Sequence, residues 1–382
     1  MKYNLKFLIL LLIFFNFSCS TEDTDVLING DTIDETVDPS DGISLTAKEI
    51  TRAMGPGFNL GNTFENGINP ATLVNAQPII DLYASAGMKH IRIPVTWLER
   101  FTTNLADANG NIDVNNTRFK ELVKVVDYAI SKEMYVIINT HHEHWLKDFY
   151  DGSAAFDTKF KTLWTGIANY FKDYSHYLIF EVLNEPEGQL GEWGGTWPQP
   201  TSTIALANTR QVNKVGYDAI RATGGNNETR LIMVGTNAQG NEEMIEEVYP
   251  NKASLPGGGD DKYLAIQVHS YNPWAFCGQT GNNGAFPGTA SIENAIKKVG
   301  VHSRLLDVPV NYGEFGVGRQ GTATSPTSER NTDLVRGYYK TFDDTTISQQ
   351  MSYSVWDDRG WFGLVNSTGT SFINNIVPFM LQ

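Results

Sequence analysis

Two glutamates in this 382-residue chain stand where acid/base chemistry could use them. The apolar run Leu178, Ile179, Phe180, Val182, Leu183 reads as a buried strand, and it is halted by Asn184-Glu185-Pro186, because proline removes the ladder donor. Val310-Asn311-Tyr312-Gly313-Glu314-Phe315 is a second short apolar strand ending in a carboxylate, 129 residues further on (314 − 185). One such glutamate is a solvated or capping residue in the plain reading. Two of them at strand ends are what proton donation paired with nucleophilic attack requires.

Other strands carry reactive or recognition groups at the same edge. The first candidate strand, 57–60, leads to Asn62 and Glu65, and the second, 90–95, carries Arg92 and runs to Trp97. The third, 135–139, ends in His141-His142-Glu143-His144-Trp145, and the fourth, 177–183, in Asn184 and Glu185. The fifth, 230–234, offers only Asn237; the sixth, 264–269, gives His269, Tyr271 and Trp274. The seventh, 308–313, gives Glu314, and the eighth, 351–356, gives Trp356, Asp357 and Asp358.

Amphipathic stretches lie between these runs: 71–86, 116–133, 158–174, 204–222, 291–306 and 327–342. In the second, Phe119, Leu122, Val126 and Ala129 share one helix face. Strand and helix alternating eight times predict a (β/α)8 TIM barrel, with a doubly wound sheet as the competitor. In a barrel the carboxyl ends of the strands form one face, so the polar and aromatic residues above converge there.

Arg92 lies inside the apolar run Ile91-Arg92-Ile93, and a buried guanidinium needs a carboxylate. It is assigned to Glu314, favouring that group's charged form. Glu181 alternates with the strand and points either into the barrel or toward the helices. His141, His142, His144 and His269 invite a metal, but the spacing is neither His-Glu-x-x-His nor His-x-His, so no metal and no cofactor is expected. Trp97, Trp145, Trp274 and Trp356 at the strand ends could lie flat against a pyranose ring. Trp193, Trp197 and Trp361 fall in glycine-rich loops and read equally as platforms or loop packing.

The first residues have another purpose. Lys2 and Lys6 precede nine consecutive apolar residues, Phe7 to Phe15, too short a run to span a bilayer and fit for export. Cys19 behind Ser18 resembles the lipobox of bacterial lipoproteins. Residues 1–18 are therefore expected to be a signal peptide, with Cys19 lipidated in the outer membrane or at the surface of a Gram-negative cell. A secreted or periplasmic protein cut elsewhere is the alternative. From Ser20 to Ala47 there are eight acidic residues and no Lys or Arg, so 19–47 reads as a flexible linker and 48–382 as the catalytic domain. That linker supplies more than half of the net charge of −14, and an acidic chain without a basic stripe argues against nucleic acid. Only Cys277 remains in the domain, so an internal disulfide is ruled out and a monomer held by its core is expected.

Taken together, Gly-Phe-Asn-Leu-Gly-Asn at 57, Ile-Arg-Ile-Pro-Val at 91, Ile-Asn-Thr-His-His-Glu at 138, Asn-Glu-Pro at 184, His-Ser-Tyr at 269, Gly-Glu-Phe-Gly at 313 and Ser-Val-Trp at 354 resemble glycoside hydrolase family 5. The segment Asn-Thr-His-His-Glu-His-Trp is similar to its endo-β-1,4-glucanase and xyloglucanase branch. The resemblance implies a barrel that hydrolyses β-glucan with retention, with Glu185 as acid/base and Glu314 as nucleophile. It implies that Asn184 holds the sugar 2-hydroxyl, that His269 and Tyr271 tune the two glutamates, and that Arg92 and His141 support Glu314. Trp356 would floor the subsite at the cleavage point, and Asn62, Glu65 and His142 would contact glucosyl units. A β-mannanase of the same mechanism and a non-catalytic polysaccharide-binding lipoprotein remain as alternatives.

Overall fold

The computed structural model describes residues 45–99, 101, 103–319, 321–322, 325–326 and 332–382. The expected signal peptide, Cys19 and nearly all of the expected linker lie outside the described residues. Eight parallel strands close a barrel: β1 (Pro56–Asn59), β2 (His90–Ile93), β3 (Tyr135–Asn139), β4 (Leu178–Glu181), β5 (Ile232–Gly235), β6 (Leu264–Ser270), β7 (Val310–Phe315) and β8 (Ser352–Val355). Each pairs with its sequence neighbours, and β1 closes on β8. The expected doubly wound alternative is thereby excluded.

The long helices follow the expected periods: α2 (Leu73–Ser85), α3 (Thr117–Ser131), α5 (Ala154–Tyr170), α6 (Thr203–Arg221), α7 (Thr289–Leu306) and α8 (Asp333–Ser348), with the single turn α4 (His144–Lys147) before α5. Two departures follow from local chemistry. Between β5 and β6 no long helix forms; Gly240, Pro250, Pro256 and Gly257 to Gly259 interrupt the chain, and short turns bury Met244, Ile245 and Val248 instead. A helix α1 (Ala47–Met54) begins inside the stretch read as linker, because Thr46 and Glu49 form a reciprocal capping box.

α1 has a structural task. Its buried Ala47, Ile50 and Met54 pack with Tyr135, Ile137, Ile179, Leu231, Met233 and Ala265 in a cluster separate from the main core. Those strand residues sit near the amino ends of β3 to β6 and face the barrel axis, so α1 closes the barrel's lower end. The main core lies between strands and helices and includes Ile91, Val136, Ile138, Leu178 and Phe180, which face outward.

Strand alternation then fixes which polar residues enter the barrel. Ile179 belongs to the plug, so Glu181, two residues on, points inward; Asn139 follows Ile137 in the same way and is in register with Glu181. Arg92 is inward because Ile91 and Ile93 are outward, and it is in register with Asn59. Gly57 is required where it is: a Cβ there would lie 2.3 Å from the inward ring of His90.

β7 breaks the alternation, and the break matters. Tyr312 and Phe315 both pack outward on Phe342, with ring centroids 4.9 and 3.8 Å apart. Tyr312 pairs with Tyr353 and Phe315 with Val355, so three residues of β7 advance against two of β8; the same offset appears against β6. This bulge turns Glu314, which strict alternation from Tyr312 would send outward, into the barrel. The extra residue is Gly313, where a Cβ would meet the Gln267 amide nitrogen at 1.8 Å.

Candidate active site

Arg92 organises the inner end of the site. Its side chain is wholly buried, and all five N–H donors are used: Nε and Nη2 fork onto Glu181 at 2.6 and 2.7 Å, Nη1 reaches Asn59 Oδ1 at 2.9 Å and Glu314 Oε1 at 2.7 Å, and Nη2 reaches Asn184 Oδ1 at 2.7 Å. The expected pairing with Glu314 is present as a single bond. The fork itself goes to Glu181, whose place the sequence left open. Burial works against both charges, yet Arg92 holds the Glu181 carboxyl below its usual range, and the two carboxylates hold the guanidinium protonated.

The two candidate glutamates meet. Oxygen atoms of Glu185 and Glu314 and a ring nitrogen of His269 all lie within 4.8 Å of one another. His269 Nδ1 is 3.0 Å from Glu185 Oε1 and 3.8 Å from Glu314 Oε2, and the Tyr271 hydroxyl donates to Glu314 Oε2 at 3.0 Å. With the Gln267 amide nitrogen 2.6 Å from Nε2, the imidazole proton sits on Nδ1, facing Glu185. Burial lowers the His269 pKa to about 4, so the ring is neutral.

Burial, reinforced by the charge of Glu187, pushes Glu185 up to about 7, against the pull of Lys147 and Arg92. Glu314 is also raised: burial outweighs His269 and Arg92, and Glu185 adds to the shift. Arg92 favours the charged form of Glu314 as expected, but the net displacement is upward. The pair therefore holds one proton near neutrality. That proton belongs on Glu185, because Glu314 receives hydrogen bonds from a guanidinium and a phenol whereas Glu185 is hydrogen-bonded to a neutral imidazole.

Glu185 itself sits at φ 44°, a left-handed conformation that costs a residue with a Cβ roughly 1–3 kcal/mol. The strain lies where the strand is cut by Pro186, and it turns the carboxyl over the barrel mouth. Beside it Asn184 is buried with Nδ2 unpartnered, a donor aimed at whatever occupies the site.

A cavity of about 380 Å3 opens on the Glu185 side, lined by Glu185, Ala238, Gln239, Asn241, His269, Tyr271, Asn272, Trp274 and Phe362. Trp274 is 56% exposed there, as a platform requires. Trp356, His141 and His142 form a second set of rings, with centroid distances of 6.3 and 4.5 Å, and the position of a Cβ on Gly61 would be 3.1 Å from Trp356, which puts Asn62 in the same neighbourhood.

Several expected roles change. Trp97 is fully buried, donates to the Asn139 carbonyl and packs on Phe119. Trp145, expected to bind substrate, is 8% exposed: Glu143 accepts its N–H at 2.7 Å, and Phe156 and Lys159 lie against its faces. Glu65, expected to touch sugar, is buried and accepts the backbone N–H groups of Asn62 and Thr63, shaping that turn; burial raises its pKa to about 8. His141 bonds Asn139 at 3.2 Å, and Asn139 in turn bonds Glu181 at 3.0 Å, so His141 reaches Glu314 only through Glu181 and Arg92. Asn237 ties down the carbonyls of Leu190 and Pro200, and Asp357 and Asp358 cap backbone N–H groups of their own loop. Ala238, Gln239 and Phe362 were missed; no periodicity marks loop residues, and only the loop's place after a strand could have suggested the first two.

Residues 52–358 match the family model for cellulase, glycosyl hydrolase family 5. The chain belongs to glycosyl hydrolase family 5. Among family 5 relatives, Endoglucanase A of Clostridium longisporum is 36% identical, covering 71% of this chain and 53% of its own length, and Endoglucanase A of Paenibacillus barcinonensis is 30% identical, covering 89% and 90%. The chain spans about half the length of the first two curated relatives it matches. A solved broad-specificity endoglucanase from Clostridium longisporum superimposes with a TM-score of 0.70 at 27% identity, covering 89% of this chain and 98% of that one. The structure of ZgEngAGH5_4 with a cellotriose superimposes with a TM-score of 0.73 at 28% identity, over 89% and 99%. Glu185 and Glu314 are the two carboxylates that the geometry of this family 5 barrel brings together.

Proposed function

We propose that this chain is a retaining endo-β-1,4-glucanase acting on cellulose-like, mixed-linkage or xyloglucan chains. The observation that carries the reading is the approach of Glu185 and Glu314 to within 4.8 Å between oxygens. Carboxyl groups about 5 to 5.5 Å apart fit double displacement, whereas inversion needs roughly 6.5 to 9.5 Å to admit a water. A Glu314 oxygen attacks the anomeric carbon while Glu185 gives its proton to the departing glycosidic oxygen. Glu185, now charged, then takes a proton from the water that displaces Glu314, and both groups return to their starting states. Asn184 Nδ2 is the donor positioned for the hydroxyl beside the reacting carbon. No step draws on a metal or cofactor.

The endoglucanase names of the relatives and the cellotriose in ZgEngAGH5_4 support the glucan reading. The cavity lined by Glu185 and the exposed Trp274, together with the separate cluster of Trp356, His141 and His142 rings, supports attack inside a chain. For localisation, Cys19 behind Ser18 and the acidic stretch after it support an outer-membrane or cell-surface lipoprotein.

Incubation with carboxymethylcellulose, barley β-glucan, xyloglucan and glucomannan, with product sizes measured, tests the substrate. Mixed oligosaccharides from at least one of the first three are expected; single glucose units from chain ends, or products from glucomannan only, overturn the endoglucanase reading. Glu314→Gln should lower turnover at least 10³-fold, and azide should rescue Glu185→Ala on an activated aryl glycoside. Full activity of Glu314→Gln on any glucan would remove it as the nucleophile.

A further inference from the structure

Behind the acid/base lies a charge pair that double displacement does not call for. Lys147 ends α4 with its side chain wholly buried, and its ammonium is 3.4 Å from Glu187 Oε1, two residues after Glu185. Glu187 Oε2 accepts from the Gln239 amide at 3.2 Å, and the Gln239 backbone N–H donates to the Pro186 carbonyl at 3.1 Å. The three residues thus bracket the Glu185-Pro186 bond from behind. A methionine would fill the Lys147 space without the penalty of burying an ammonium, so packing does not account for a charge there.

Gln239 belongs to the turn that lines the cavity beside Glu185. Ala238 and Gln239 sit at φ 51° and 63°, two consecutive left-handed residues that both carry a Cβ. Such a turn persists only where its surroundings hold it, and the bonds from Gln239 to Glu187 and Pro186 do so.

Resting on the endoglucanase reading, we propose that Lys147 and Glu187 are positioning residues that act on Glu185 as opposed charges, with Gln239 fastening the pair to the turn lining the leaving-group cavity. Several other groups face Glu185. Arg92 and Glu181 lie beneath it, His269 and Tyr271 come from the β6 end and Glu314 from β7, while the neutral His141 at the end of β3 feels Lys147. Arg92 and Glu181 are locked into their fork and into Glu314. His144 on α4, Asp148 just after it, and Glu192, which accepts from the Gly188 N–H, are the titratable groups beside the pair along the chain. Glu187 and Lys147 exert the largest charge effects on Glu185, of opposite sign, and their single contact leaves them adjustable.

The test is the pH dependence of kcat/KM on barley β-glucan for the full chain, Glu187→Gln, Lys147→Met and the double variant. Glu185 must carry its proton to act, so activity falls as pH rises through its pKa. Removing the Glu187 charge should move that alkaline limb down by roughly 0.5 to 1 pH unit, removing Lys147 should move it up by a similar amount, and the double variant should return near the parent. An activated aryl glycoside, which leaves without a proton, should show no such shifts. Limbs that stay put, or that move the same way in both variants, overturn the proposal while the parent's hydrolysis of β-glucan leaves the endoglucanase reading standing. If Lys147→Met does not fold, Glu187→Gln decides by the direction of its shift. A parent inactive on every glucan defeats the reading and the proposal together.

Discussion

Arg92 shows why a single side chain can hold a whole site in register. Its guanidinium meets Asn59 of β1, Glu181 of β4, Asn184 just past the end of β4 and Glu314 of β7, so none of the four can move without breaking a charge-assisted bond. The chemistry that results is set by protonation. Glu185 needs its proton in the free enzyme, and with its pKa near 7 the alkaline limb of kcat/KM should fall with a midpoint about there. Below that midpoint the acid is loaded; above it the proton is lost and turnover drops, and Glu185→Gln should abolish the limb together with activity on glucan. A limb with its midpoint below 5 would show that burial does not raise this group. At this scale the sequence was informative wherever a reactive residue interrupted an apolar run: Arg92, Glu185 and Glu314 were legible. The direction of Trp145 and Glu65 was not legible, because a strand end does not say which way a long side chain turns. Partners decide that, Glu143 for the indole and the Asn62 and Thr63 N–H groups for the carboxylate.

Among the elements, β7 determines where Glu314 points. Gly313→Ala would push a methyl group into the Gln267 amide and the neighbouring His269 ring, 1.8 and 2.9 Å from the new Cβ. Overpacking of that kind costs about 1–3 kcal/mol, and here the displaced side chain is the one that orients His269. The variant should melt earlier and lose kcat more than it changes KM; wild-type kinetics with unchanged melting would show the bulge to be slack. The eight strands and six long helices were legible because period 2 and period 3.6 are written over many residues. The bulge was not, since Tyr312 to Phe315 reads as ordinary alternation until its neighbours show one residue too many. The missing helix between β5 and β6 was legible in hindsight from its prolines and glycines. α1 was hidden because its capping box lies directly after an acidic, low-complexity stretch.

For the molecule as a whole, the plug and the candidate site sit at opposite ends of the barrel. α1 plugs the amino ends of the strands, and the reacting groups stand at the carboxyl ends. Ile50→Ala in the plug should lower stability by about 2–5 kcal/mol and leave kcat and KM on β-glucan unchanged at temperatures where the variant is folded. A matching loss of kcat would tie the two ends together. The amino-terminal residues predict a separate behaviour: labelled palmitate should enter the exported protein, and Cys19→Ala should abolish the label and release the enzyme to the medium. Label retained in Cys19→Ala would place the lipid elsewhere.

The extra residue in β7 also says how such a barrel can fail. Ironing out the bulge, so that Tyr312 to Phe315 alternate plainly against their neighbours, would leave every reactive side chain present in the chain, in the same order, with Glu314 facing the helices. Loss of function by that route is invisible to any inventory of residue types. It shows only when the register of Tyr312 and Phe315 against Tyr353 and Val355 is counted.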